Sequence, residues 1–407
     1  MRRALALLFV PALALAAPTA DLVLHDCATV HVAPTEPVQI RVDVVIDDGI
    51  IVTVAPHAPH PAGAPTLDCG GGTVTAGFQN SHVHFMPQAF AGVAARRAED
   101  LEIALRTMFG RYGFTTVVDT GSMIEDTTAL RARIESGEVR GPRIFTAGLP
   151  LYPPDGIPIY LRDLPPDVLA RMPQPASAAA AVAVVEANQA AGADVVKLFA
   201  GAVMGGGAIK PMPVDIARAA AAEAHRRGMI VFAHPSNNVG ANVAVDAGVD
   251  VLAHTNSEGW DEALIGRLIE KRMALVPTLK LWTFEAARQG ASPTDTEALV
   301  AGGVSQLAAF AKAGGQVLFG TDVGYMTDSD PADEYGLMAR AGLSPEDILA
   351  SLTVNPAQRF GEADRRGRVA PGHAADLVVF DGKPFSRVRQ TIRGGRVIFD
   401  ATRLPAP

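Results

Sequence analysis

The chain has 407 residues, 48% of them hydrophobic and 19% charged, a balance that can bury a large core and excludes the disordered class. Its formal net charge of −8 excludes a surface built to attract nucleic acid or anionic membrane. Cys27 and Cys69 are its two cysteines, too few for a cysteine-built metal site, so metal chemistry must draw on nitrogen and oxygen ligands.

In chain order, residues 1–20 read as a secretory leader. Met1-Arg-Arg supplies a basic start, Ala4 to Ala17 an apolar core, and Ala14-x-Ala16 and Pro18-x-Ala20 small residues suited to cleavage. The apolar core is too short to span a membrane and carries Pro11. The expectation is an exported protein, periplasmic or secreted, with no stable membrane anchor. In such a compartment Cys27 and Cys69 form a disulfide or stay as two separately buried thiols, and the sequence leaves both open.

Leu22 to Val54 contains short alternating runs with a turn at Asp47-Asp48-Gly49, which predicts β-hairpins. The tail has the same style, in Ala375 to Phe380 and Gln390 to Phe399 around a turn at Asp381-Gly-Lys-Pro. Strand-rich ends flanking a different middle predict one small β-sandwich built from residues 21–76 and 362–407.

The middle, residues 77–361, alternates apolar β-branched runs with helical segments at Glu99 to Tyr112, Ser177 to Ala191, Pro213 to Arg227 and Asp261 to Arg272. Strands fall near residues 77, 116, 145, 196, 231, 251, 275 and 318. Eight is the number of a closed parallel barrel, so the predicted fold is α/β: a (β/α)8 TIM barrel inserted in the sandwich. The stretches Gly148 to Pro175 and Gly201 to Pro213 read as unusually long loops, and their Tyr160, Arg162 and Lys210 are candidates for substrate contact. A phenol can hydrogen-bond a carbonyl, and a cation can hold a carboxylate.

The chemistry-bearing residues sit at strand ends. His82 and His84 alternate on one strand and so face the same side, as a metal site needs. Lys197 ends Ala-Asp-Val-Val-Lys, His234 ends Ile-Val-Phe-Ala-His, His254 ends Val-Leu-Ala-His, and Asp322 ends Phe-Gly-Thr-Asp. The C-terminal ends of barrel strands carry the active site, so these six residues converge on one mouth. His25, His31, His57, His60, His225 and His373 read instead as structural or surface histidines.

Several motifs together resemble the amidohydrolase superfamily in its binuclear form, in the branch of Xaa-Pro and Xaa-Arg dipeptidases and imidazolonepropionase-like members. They are Gly77-Phe-x-Asn-Ser-His-Val-His84, the single Lys197, His234 and His254 on successive strands, Gly320-Thr-Asp322, the late Leu352-Thr-x-Asn-Pro-Ala357, and Gly367-Arg-Val-Ala-Pro-Gly-His-Ala-Ala-Asp-Leu-Val-Val-Phe-Asp381. The resemblance implies two divalent metal ions, zinc as the leading identity. His82, His84 and Asp322 would bind one, His234 and His254 the other, and Lys197, carboxylated by carbon dioxide, would bridge both. It also implies Asp322 as the catalytic proton acceptor.

The function expected is metal-dependent cleavage of amide bonds in a small-molecule substrate such as a dipeptide or N-acyl amino acid. Lactone or carbamate-ester hydrolysis, deamination of a heterocycle, and a non-catalytic exported metal-binding protein are the alternatives, and homo-oligomerisation is left open. The chain departs from the branch after His234, where it reads Pro-Ser-Asn-Asn, and after Lys197, where it reads Phe-Ala-Gly-Ala-Val-Met-Gly-Gly-Gly. Substrate identity cannot be copied from one relative.

Overall fold

Val, Ile, Phe and Leu crowd the short strands of the middle region because each strand is covered on both faces, by the barrel interior and by helices. A computed structural model of the chain describes residues 20–58, 64–256 and 258–403. The expected leader, apart from Ala20, lies outside the described residues, and so does His60. Among the described residues no helix is long and apolar enough to cross a membrane.

The first strands are β1 (Leu22–Val30), β2 (Gln39–Asp47), β3 (Ile50–Pro56), β4 (Thr66–Asp68) and β5 (Thr73–Ala76). The barrel strands follow: β6 (Phe78–Val83), β7 (Phe114–Asp119), β8 (Arg143–Thr146) and β9 (Val195–Phe199). After the hairpin β10 (Gly201–Val203) and β11 (Ile209–Pro211) come β12 (Ile230–His234), β13 (Val251–Ala253), β14 (Ala274–Val276) and β15 (Gln316–Val317). The tail supplies β16 (Leu377–Phe380), β17 (Val388–Arg393) and β18 (Arg396–Asp400).

Helices α1 (Ala98–Met108), α2 (Ile124–Glu135), α3 (Pro166–Leu169), α4 (Ala178–Ala190), α5 (Val214–Arg226), α6 (Asn238–Ala247) and α7 (Glu262–Glu270) lie between the strands. Between β14 and β15 the chain makes two in succession, α8 (Lys280–Arg288) and α9 (Pro293–Lys312). Helices α10 (Ala332–Arg340), α11 (Pro345–Leu352) and α12 (Val354–Arg359) complete the barrel. Side-chain caps start several of them: Ser177 accepts from Ala180 N, Asp261 from Leu264 N, and Ser344 forms a capping box with Asp347.

All eight strands expected in the middle region are present and run parallel, in a three-stranded sheet β6-β7-β8 and a five-stranded sheet β9-β12-β13-β14-β15. Single backbone hydrogen bonds join the two sheets at both seams. At one, Leu151 N donates to Lys197 O at 2.9 Å and Phe199 N to Leu151 O at 2.8 Å. At the other, Ser81 N donates to Phe319 O at 2.7 Å and Asp322 N to His82 O at 2.9 Å.

Alternation sorts the strand residues between the two faces. Val118, Val195, Phe232, Val251, Val276 and Leu318 pack together in one cluster inside the ring, whereas Val117, Val196, Val231, Leu252, Leu275 and Phe319 pack under the helices. Lys197 alternates with Val195, and His234 with Phe232, which puts both functional side chains on the interior face.

The ends of the chain share one mixed sheet in the order β18-β17-β16-β5-β1-β2-β3, with β4 pairing β1. It folds over on itself, so that the β2–β3 turn meets the β17–β18 turn: a Cβ on Gly49 would lie 3.0 Å from Gly394 O. The enclosed core includes Leu24, Val44, Ile46, Val74, Leu377 and Ile392. Two of the expected long loops are more ordered than the sequence suggested. Residues 201–211 form an antiparallel hairpin, and residues 148–175 carry α3 and a small apolar cluster, Tyr152, Leu161 and Met172, packed with Phe199 of β9.

Cys27 and Cys69 form a disulfide inside the sheet core, closing a segment with a sequence separation of 42. Loop closure of that length removes about 4 kcal/mol of unfolded-state entropy. The double variant Cys27→Ser/Cys69→Ser is expected to lose stability of that order in urea unfolding followed by circular dichroism. An unchanged midpoint in that variant would show that the bond contributes nothing.

Candidate metal centre

Four strand ends and the segment after β15 deliver the six residues expected at the mouth. His82 lies in β6 and His84 one residue past it, so both project from the same side. His84 Nε2 is 3.0 Å and His82 Nε2 3.4 Å from Asp322 Oδ1, and the three ligand atoms lie within 4.8 Å of one another. His254 Nε2 stands 4.0 Å from Asp322 Oδ2. The His254 ring sits 4.6 Å from that of His82 and 4.8 Å from that of His234, which itself stacks on Phe199.

Backbone strain marks two of these positions. Asp322 has φ 59° and His254 φ 78°, a left-handed geometry that costs a residue bearing a Cβ about 1–2 kcal/mol. The glycines around Asp322 permit the approach. A Cβ on Gly324 would fall 1.8 Å from His84 O, and one on Gly320 would fall 2.3 Å from a Val276 methyl group. Below them Asn80 laces the two strands, its Oδ1 accepting from His82 N and Thr321 N at 3.2 Å each and its Nδ2 donating to Thr321 Oγ1 at 2.8 Å.

Hydrogen bonds on the far side of the rings fix which nitrogen faces the centre. Gly121 O can only accept, so His84 Nδ1, 2.7 Å away, carries a proton and Nε2 is turned toward the Asp322 carboxylate. Thr278 Oγ1 donates to Pro277 O, so it accepts from His254 Nδ1 at 2.5 Å and leaves Nε2 of that neutral ring unprotonated. Around His84, Asp119 accepts from Ser122 Oγ at 2.6 Å and Thr146 Oγ1 at 2.7 Å, and Ser122 Oγ accepts from Phe85 N. Burial pushes the Asp119 carboxyl up, with His84 pulling it down.

Electrostatics favour the ligand forms. Burial holds His82, His234 and His254 well below the usual imidazole range, and the charge of Lys197 pushes all three further down. Burial alone would lower His84, but the hydrogen bond and charge of Asp322 outweigh it and the net direction is up. Lys197, only 3% exposed, is brought down by burial to about 7 against the pull of Asp322. One carboxylate, three imidazoles held neutral, the His84 ring beside Asp322 and an amine near its titration point form a donor set that fits divalent cations. His82 Nδ1 is buried with no hydrogen-bond partner.

The three candidates for substrate contact separate. Tyr160 packs edge to face on Tyr325 at 5.8 Å, and burial raises its phenol, with Asp322 and Glu285 adding to the rise. Arg162 is exposed and reaches only Ile157 O at 3.4 Å. Lys210, on the hairpin, stands 3.9 Å from Asp155. No hydrogen bond or ion pair among the described residues brings Arg162 or Lys210 to the six-residue cluster, because both sit at the outer rim of their segments.

Sequence reasoning missed α8 and its side chains. Tyr325 donates to Glu285 Oε1 at 2.6 Å, Phe284 packs on Tyr325 at 5.7 Å, and the Arg288 guanidinium lies 5.5 Å from the Tyr160 ring centre. Glu334, fully buried, accepts from Leu279 N and Lys280 N at 2.9 and 2.8 Å and anchors the start of this helix. The polar caps Ser292 and Asp295 were the readable signal for α9. Asp119 was readable too, ending a β-branched run as Asp322 does.

The amidohydrolase family model matches residues 73–399. Among solved structures, a Xaa-Pro dipeptidase with methionine bound in its active site superposes with TM-score 0.79 at 23% identity, covering 93% of this chain and 100% of that one. A putative prolidase from Bifidobacterium longum gives 0.76 at 26%, covering 93% and 95%. A molinate hydrolase gives 0.75 at 20%, covering 95% and 96%. Among curated proteins, adenine deaminase 2 of Agrobacterium fabrum is 37% identical over 67 residues, 16% of this chain. That match spans 11% of the deaminase.

Glu334 makes a prediction testable by pH. Burial raises its carboxyl to about 7, against an ordinary value of 4.5, while the two amide donors and Lys280 pull it down. A folded value above the unfolded one stabilises fully below pH 4.5, and that contribution is lost as pH rises toward 7. Denaturant midpoints of Glu334→Gln, measured from pH 4.5 to 7.5, are expected to decline less across this window than those of the wild type. Parallel curves would refute the raised value.

Proposed function

The chain belongs to the amidohydrolase family, and from that premise we propose that it is a metal-dependent hydrolase that cleaves the carbon–nitrogen bond of small amides. The observation that carries this is the convergence of His82, His84 and Asp322 at one barrel mouth, with Nδ1 of His84 and of His254 engaged on the far side so that Nε2 faces the centre. In this reading His82, His84 and Asp322 hold one cation and His234 and His254 the other. When bound, two divalent ions, zinc first among them, would supply Lewis acidity toward a carbonyl and acidify a water.

Lys197 is proposed as the bridge. Its neutral amine forms a nitrogen–carbon bond with carbon dioxide and releases one proton, which leaves an anionic carbamate with two ligand oxygens. Burial prepares this by giving the amine a substantial neutral fraction near pH 7. The central position of Lys197 is supported by its charge acting on His82, His234 and His254 alike.

Asp322 is proposed to take the proton of the attacking water on a carboxylate oxygen and to return it to the leaving nitrogen. Its strained backbone and its contacts to three imidazoles hold that oxygen in place. Dipeptides and N-acyl amino acids are the proposed substrates, supported by the dipeptidase and prolidase among the similar structures. Deamination is a second reading, favoured by the short adenine deaminase match, and ammonia release from adenine would single it out. Export is proposed on the Cys27–Cys69 disulfide, a bond that persists in oxidising compartments.

Metal analysis of protein saturated with zinc is expected to give two ions per chain, and a firm stoichiometry of one would sink the binuclear assignment. Lys197→Ala is expected to lose metal and most dipeptide hydrolysis, with partial rescue by acetate or propionate. Full metal content and activity in that variant would make Lys197 an ordinary buried amine. In Asp322→Asn kcat is expected to fall at least about 10²-fold with the fold intact, and near-wild-type turnover would place the base elsewhere.

A further inference from the structure

Three segments that follow barrel strands meet beside the metal centre in an arrangement that the six ligand residues do not use. Helix α8 begins two residues after Thr278, whose hydroxyl orients His254. Tyr325 lies three residues after Asp322, and Tyr160 comes from the long segment after β8. Their rings stand 5.8 Å apart, edge to face, and Phe284 of α8 continues the apolar wall against Tyr325.

Arg288, the last residue of α8, closes this wall. Its guanidinium lies over the Tyr160 ring, while Nη2 donates to Glu285 Oε2 at 2.7 Å and Nε to the same oxygen at 3.3 Å. Glu285 Oε1 accepts from Tyr325, so this one carboxylate aims both the arginine and the tyrosine. Among the described residues Nη1 of Arg288 has no hydrogen-bond partner, and neither has the Tyr160 hydroxyl. The Arg288 side chain is 40% exposed, enough to meet a ligand and enough cover to restrain the fork. A braced arginine with one face on an aromatic ring and free donors is suited to a planar anion.

We propose that Arg288 and the Tyr160 hydroxyl form the subsite for a substrate carboxylate, which restricts the substrates to amides whose amine half carries a free carboxylate. This rests on the amide-hydrolase reading above and names the residues that would recognise the carboxylate end of its substrates. The side chain of that half would lie against Tyr325 and Phe284, which favours apolar residues such as phenylalanine. Arg162 and Lys210 do not compete for the role, since the one reaches only a backbone carbonyl and the other faces Asp155.

The test compares ligands that differ only in that charge. Binding of L-phenylalanine and L-phenylalaninamide to the zinc-loaded protein is measured by calorimetry, and hydrolysis of Ala-Phe and Ala-Phe-amide is followed in parallel. The wild type is expected to prefer the acid in both assays. Arg288→Gln is expected to weaken L-phenylalanine binding and raise KM for Ala-Phe by about 10- to 100-fold, the loss of one charge-assisted contact, while the amides change little. Arg288→Lys, which keeps the charge and loses the fork, is expected to recover part of the difference. Equal losses for acid and amide would make Arg288 a brace for α8 and overturn the proposal, as would acid and amide bound alike, or not at all, by the wild type. Acid-selective, Arg288-dependent binding without hydrolysis of either peptide would leave the subsite standing and overturn the amide-hydrolase reading instead.

Discussion

The site depends on how closely β6 and the segment after β15 that carries Asp322 can be laid edge to edge. Asp322 N donates to His82 O and His84 N to Val323 O, so the backbone that pairs the strands also sets the spacing of their side chains. Asn80 adds two polar contacts across the same seam, both to Thr321, and one to His82 N within β6. Gly320 and Gly324 leave room that any side chain would fill. Move this seam by a residue and His82 and His84 lose their registration with Asp322, since strand side chains alternate with a period of two.

The electrostatic problem follows from the same closeness. Four imidazoles, an amine and one carboxylate share a buried mouth, where an unpaired charge is costly. Burial removes the charge from three of the imidazoles and brings Lys197 close to losing its own. What remains is a set of lone pairs around Asp322, which divalent cations would satisfy. Hydrogen bonds from the ring Nδ1 atoms to Gly121 O and Thr278 Oγ1 orient His84 and His254 at a distance from the centre, and Asp119 and Ser122 hold the first of these segments in place.

The mouth is walled by segments that carry structure of their own. The Gly148 to Pro175 stretch has a small core and the Gly201 to Pro213 stretch a hairpin. Helix α8 is pinned at its first amides by the buried Glu334 carboxyl group. Pinning one end of a nine-residue helix fixes the direction of the other, and it is that other end that carries Glu285 and Arg288. The chain thus separates two tasks: strand ends hold the chemistry and the segments beyond them hold the selectivity.

The amino-acid sequence by itself determined the architecture, because hydrophobic period and strand-end residue type are local signals. Eight apolar runs marked the eight parallel strands, and His82, His84, Lys197, His234, His254 and Asp322 were legible as their termini. The two strand-rich ends were legible as one sheet by the same alternation. Only the tertiary structure decided what depends on distance across the chain. It paired Cys27 with Cys69, which the sequence left open, and turned the loop at 201–211 into a hairpin. It also placed Arg162 and Lys210 at the rim while bringing Arg288 over Tyr160, 128 positions earlier in the chain. No local pattern announces such a meeting, because it is set by where α8 starts and which way Glu334 aims it.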